Sequence, residues 1–152
     1  MSQAMQTPPG ECAGVPASGR QAAMNQEARA LYDALYSTES WVQVAKVLHR
    51  ELRLTQAEIA RGADVTTATV ARWLESTDEA SVRAVGKLDD LRYAVLWMVS
   101  GCGMGPRLIR FWLTAKNPHL GQDPLGAIAA GRFEHVIEIA HAFGEARSAT
   151  GR

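Results

Sequence analysis

The chain has 152 residues, 47% of them hydrophobic, which suits one packed domain or two small ones sharing a core and excludes a wholly disordered chain. Its 16 basic and 16 acidic residues give a formal net charge of +0, so a polyanionic partner must be met by local patches rather than bulk charge. Cys12 and Cys102 lack metal-ligand or CxxC spacing, and the most apolar run, Tyr93 to Val99, falls far short of the roughly 20 residues of a membrane span, so a cytoplasmic protein without a membrane partner is expected.

Residues 1–25 carry Pro8-Pro9-Gly10, Gly14, Pro16 and Gly19 with few large apolar groups, and no apolar secretory run occurs between Met1 and Gln26. Such a segment cannot offset its ordering entropy, and a disordered arm is predicted there. Helical spacing then dominates and predicts an all-α fold. Ala28, Leu31, Tyr32 and Leu35 form a short stripe, and Trp41, Val44, Ala45, Leu48 and Leu52 form a second behind the potential cap Ser40. Ala84, Leu88, Leu91, Val95 and Met98 mark a long helix that stops at Gly101-Cys102-Gly103. Pro106 opens the next, with Leu108, Ile109, Trp112 and Leu113 on one side, and Asp123-Pro124 signals another start. Phe133, Val136, Ile137 and Ala140 define a closing amphipathic helix, after which residues 144–152 read as a flexible tail.

The most informative stretch is Leu54–Leu74. Thr55 with Glu58 has capping-box spacing, Ile59 faces inward, and Ala60 is small where a second helix crosses closely. The chain is expected to turn through Gly62, Ala63 and Asp64, with Val65 filling the corner and Thr66 capping a second helix anchored by Val70 and Trp73. That leaves Thr67, Ala68, Thr69, Ala71 and Arg72 outward or flanking. Short side chains at a helix start permit approach to base edges, and Arg72 can reach a guanine or a phosphate. Gln56 begins the first helix, where the DNA backbone would pass. The candidate DNA-binding residues are thus Gln56, Thr66, Thr67, Ala68, Thr69 and Arg72. Two ordinary packed helices share this spacing, but here small or apolar residues occupy every position that docking requires. The segment resembles the Xre/Cro-type repressor helix-turn-helix; Asp64 stands where glycine is common, and Asp tolerates the left-handed conformation.

Between Asp90 and Asp123 no carboxylate occurs, while Arg92, Arg107, Arg110 and Lys116 supply positive charge, either a solvated face or a surface for DNA phosphate or an acidic protein. Trp112-Leu113, Asn117-Pro118, Leu120-Gly121, Asp123-Pro124-Leu125, Ile128, Gly131 and Val136 follow the pattern of the MbcA/ParS/Xre antitoxin C-terminal domain. The two resemblances divide the chain into a helix-turn-helix domain (26–76) and a helical toxin-binding or dimerisation domain (77–143). Together they imply an antitoxin of the RES–Xre type, which masks a RES-domain toxin that consumes NAD or transfers ADP-ribose. They also imply autorepression at an operator in double-stranded DNA, as a homodimer. A stand-alone or phage-type repressor is the alternative.

Trp97 and Phe111 lie off the main stripes of their helices and can be partner anchors or a second layer of core. Family members end soon after the last helix and insert that end into the toxin; the segment from Phe143 to Arg152 departs from this ending, leaving Arg147 and Arg152 as candidates to reach a nucleotide pocket. The partner-binding candidates are therefore Trp97, Arg107, Arg110, Phe111, Arg147 and Arg152.

No enzyme pattern competes. Glu138 and His141 have a spacing that binds metal in four-helix bundles, but no matching pair exists, and with His135 they fall opposite the apolar stripe. Gly101-x-Gly103-x-Gly105 follows a helix rather than a strand, and Ser100, Cys102 and His119 suggest no nucleophile and base. No catalytic residue, metal or cofactor is expected.

Overall fold

The computed structural model describes residues 26–75 and 80–150, so the arm assigned to 1–25, with Cys12, and Arg152 lie outside the described residues. Among the described residues the chain forms eight helices and no strand, the all-α class expected. The first, α1 (Gln26–Tyr36), buries Ala28, Leu31 and Leu35. Beyond its end, Arg92 donates from Nε to the Leu35 carbonyl at 3.0 Å and to Thr38 Oγ1 at 3.1 Å. A cation thus sits where the helix dipole ends negative. Helix α2 (Trp41–Arg50) starts at Ser40, whose hydroxyl accepts from the Gln43 N–H. It buries Val42 and Val47 beyond the predicted stripe, while Trp41 is only half-buried.

Two short helices follow, α3 (Gln56–Ala63) and α4 (Thr67–Glu75), and then the central α5 (Val82–Cys102). Ser81 caps α5 by accepting from the Ala84 N–H. At the far end Gly103 adopts φ +68°, and the N–H groups of Gly103 and Met104 return to the Val99 and Met98 carbonyls. This paired closure lets glycine end the helix without orphan carbonyls. Helix α6 (Pro106–Thr114) begins on proline, and α7 (Pro124–Ala129) is capped by Asp123, which accepts from the Gly126 N–H at 3.2 Å.

The last helix, α8 (Phe133–Thr150), corrects the expected tail. The sequence reading ends it at 143, yet it continues through 144–150. Gly144 is buried rather than placed at a terminus, and a lone glycine costs only about 1 kcal/mol against alanine. Ala146, Arg147 and Ala149 then favour helix, and Arg147 Nη1 donates to the Cys102 carbonyl at 3.2 Å.

Helix α5 packs against α1, α2, α3, α6, α7 and α8, and one apolar cluster takes residues from all eight helices. The predicted boundary at 76/77 lies outside the described residues, and the described helices before and after it share this packing. No described helix is long and apolar enough to cross a membrane.

On α5, burial first and the neighbouring Asp89 second push the Asp90 carboxyl above its ordinary value near 3.8, with Lys87 opposing. The fold thus favours the protonated form, so this contribution is present below the ordinary carboxylate range and is lost as pH rises through the raised value. Asp90→Asn should raise the melting temperature at neutral pH, with the gain shrinking as pH falls through the raised value and absent below about 4. Thermal melts across that range check it; a pH-independent difference would contradict the assignment.

Candidate nucleic-acid interface

The entrance to α3 is fixed by a complete capping box: the Thr55 N–H donates to Glu58 Oε1 at 2.9 Å, and the Glu58 N–H donates to Thr55 Oγ1 at 3.1 Å. Ile59 is fully buried and Ala60 nearly so. The turn is shorter than the sequence reading has it, because Gly62 and Ala63 belong to the last turn of α3. Their place there is steric. A Cβ built on Gly62 would lie 3.1 Å from Leu125 Cδ2 and 3.4 Å from Leu91 Cδ2, so the missing side chain lets α3 press against α5 and α7.

The chain reverses at Asp64, Val65 and Thr66. Asp64 takes the left-handed conformation (φ 59°, ψ 48°), and its carboxylate pairs with Arg83. The Val65 N–H returns to the Ala60 carbonyl at 3.0 Å, and its side chain packs half-buried on the core. Thr66 Oγ1 then accepts from the Thr69 N–H at 3.2 Å, which caps α4 as expected. Val70 and Trp73 hold the underside of α4, at 0% and 1% exposure.

The outer side carries Thr66, Thr67, Ala68 and Arg72, all exposed, with Thr69 and Gln56 half-buried. Arg72 folds back toward the helix start, its Nη2 3.5 Å from Thr69 Oγ1. The threonine-lined end of α4 and a guanidinium thus share one surface, and α4 has no acidic residue in its first turn. Donors, acceptors and methyl groups here can meet base edges, and the missing carboxylate avoids repulsion from phosphate.

The partner candidates separate. Trp97 packs half-buried on the core with its ring 5.4 Å from that of His141, the position of the second-layer alternative. Arg147, a candidate to reach a nucleotide pocket, donates here from Nη1 to the Cys102 carbonyl at the end of α5. Arg110 donates from Nε to the Arg53 carbonyl at 2.9 Å and from Nη2 to Glu58 at 3.1 Å, so it joins α6 to the start of α3. Phe111 is 67% exposed. Arg107, Arg110 and Phe111 are brought together on a cleft of about 960 Å³ between α1, the end of α2 and α6, which Arg50 and Arg53 also line. Sequence reasoning missed these last two; for Arg53 the signal was its place between two core leucines, Leu52 and Leu54.

His135, Glu138 and His141 lie along the outer side of α8, with His141 Nε2 2.9 Å from Glu145. Among the described residues, no three His, Cys, Asp or Glu side chains are grouped to hold a metal ion. The Ser100 hydroxyl donates to the Leu96 carbonyl, and the buried Cys102 thiol donates to the Ala140 carbonyl at 3.7 Å.

No family model, curated protein or solved structure matches the chain.

A second tie holds α3 to the C-terminal half. Arg61 donates from Nε to Asp123 Oδ2 at 2.8 Å and from Nη2 to Oδ1 at 2.6 Å, while the same carboxylate caps α7. This hydrogen bonding, then the charge of Asp123, raises the Arg61 guanidinium above its already high value. A Cβ on Gly126 would stand 2.8 Å from Gln122 Oε1, 2.9 Å from Asp123 Oδ1 and 3.1 Å from Arg61 Nη2. Asp123→Ala should therefore cost about 0.5–2 kcal/mol from the cap alone. Gly126→Ala should also destabilise, although alanine is the better helix former, because its methyl group invades the pair. Urea melts of both variants check this; a stabilised Gly126→Ala would show that the pair is not tightly held.

Proposed function

We propose that this chain is an antitoxin-like DNA-binding repressor: α4 reads an operator in the major groove, and the C-terminal half holds a RES-domain toxin. It would work in the cytoplasm as a homodimer and autoregulate its operon. The observation that carries the DNA reading is the exposure of Thr66, Thr67 and Ala68 above the buried Val70 and Trp73. A short helix propped from beneath, with its small-residue start open to solvent, has the shape required to enter a groove. The toxin reading is supported by the C-terminal resemblance and by Phe111, a large apolar ring left in solvent.

The internal engagement of Arg110 and Arg147 favours a second reading, a stand-alone repressor whose C-terminal half serves its own packing. A RES-domain reading frame beside this one, whose product co-purifies with the chain, separates the two.

The operator can be selected from a random duplex library and used in fluorescence anisotropy. Arg72→Ala and Thr67→Ala should each weaken binding, the loss of a good base contact being about 1–3 kcal/mol, with helical circular dichroism intact. Unchanged affinity in both variants would remove α4 as the reading helix. For the partner, Phe111→Ala should shift the melting temperature little, since its ring is already exposed, and should reduce retention of the RES-domain product in co-purification. Retention equal to wild type would exclude Phe111 as an anchor.

A further inference from the structure

The cleft beside α6 gathers four arginines, and they are not equivalent. Arg50 Nε lies 3.1 Å from Glu51, and Arg110 is divided between Glu58 and the Arg53 carbonyl. The side chains of Arg53 and Arg107 are exposed and make no hydrogen bond or ion pair among the described residues. Glu51 and Glu58 are thus engaged by the other two arginines, and Glu27 is the remaining carboxylate on the cleft wall. The unspent charge of the cleft is positive.

Arg53 is also held in an unusual way. Its φ of 65° is in the left-handed region, which disfavours any residue with a side chain. The bend keeps Leu52 and Leu54 in the core, at 1% and 0% exposure, while Arg53 between them stays in solvent. Arg110 fixes the bend by donating to the Arg53 carbonyl. A strained position kept by an arginine, where glycine would suit the backbone better, points to a use for the guanidinium.

We infer that Arg53 and Arg107 form a phosphate clamp that extends the DNA contact of the helix-turn-helix onto α6. The inference rests on the DNA-binding reading above. In such motifs the first helix crosses the sugar–phosphate backbone, and here that helix starts at Gln56, just after the Arg53 bend. The Arg110–Glu58 pair ties α6 to this same edge, and Arg107 stands one helical turn before Arg110. This continuity with α3 favours the DNA backbone over an acidic protein surface as the occupant. The C-terminal half then contributes to DNA affinity without contributing to sequence choice, since phosphate contacts position rather than specify.

The test is the salt dependence of binding of the full chain to a short mixed-sequence duplex, followed by anisotropy over a range of KCl concentrations. Each phosphate contact adds about 0.9 to the slope of log affinity against log salt. Arg53→Gly removes the guanidinium and relieves the backbone, so the melting temperature should hold or rise while the slope falls by about 0.9. Arg107→Ala should do the same, the double variant should lose about 1.8, and Arg107→Lys, which keeps the charge, should restore most of its share. If the wild type binds and both single variants keep its slope, the clamp is wrong, and the cleft is left to an acidic protein partner. If the wild type binds no duplex at any salt, the repressor reading itself fails and takes the clamp with it.

Discussion

Helix α3 has eight residues, too few to persist alone in water, so it exists only because of what it is pressed against. It packs on α4, α5 and α7, and the missing side chain at Gly62 brings it within contact of Leu91 and Leu125. The neighbouring α4, with nine residues, is in the same position and leans on α3 and α2. The presentation of Thr66 to Ala68 is therefore not a local property of the Leu54–Leu74 segment. It depends on helices that come from the C-terminal half of the sequence.

Three arginines span this junction: Arg61 to Asp123, Arg83 to Asp64, and Arg110 to Glu58. Exposed ion pairs of this kind contribute about 0–1 kcal/mol each, so the buried leucines and Trp73 must supply most of the stability. The pairs fix geometry instead. Arg83 holds the turn between α3 and α4, Arg110 holds the bend that leads into α3, and Arg61 sets α7 against its outer face. Asp123 and Glu58 serve as caps at the same time, so helix starts and interhelical ties share the same carboxylates.

What the sequence made legible was whatever is decided within four residues. Ser40, the Thr55/Glu58 box, Thr66, Pro106, Gly103 and Asp123-Pro124 all act on neighbouring backbone groups, and each stands where its spacing placed it. The misread features depend on distant partners. Gly62 resembles a turn residue until Leu125 is known to lie over it, and Gly144 resembles a terminus until it is seen to be buried. Arg147 looks free until the end of α5 arrives beside it. Of the candidate site, the exposed start of α4 was legible from its own periodicity. The cleft lined by Arg50, Arg53, Arg107 and Arg110 was not, because α2 and α6 are separated by the whole helix-turn-helix and α5.

The charge balance gains meaning from these placements. The chain carries as many acidic as basic residues, and several arginines are consumed internally: Arg92 on the end of α1, Arg147 on the end of α5, Arg132 on the Leu120 carbonyl. A protein that spends these cations on its own backbone carbonyls keeps fewer for phosphates, and on the proposed reading Arg53 and Arg107 would carry the salt-dependent part of its DNA affinity beside α4. On that reading, sequence choice would rest on base contacts at α4. The proposed homodimer on a two-fold operator would double both contributions without any further charge on the chain.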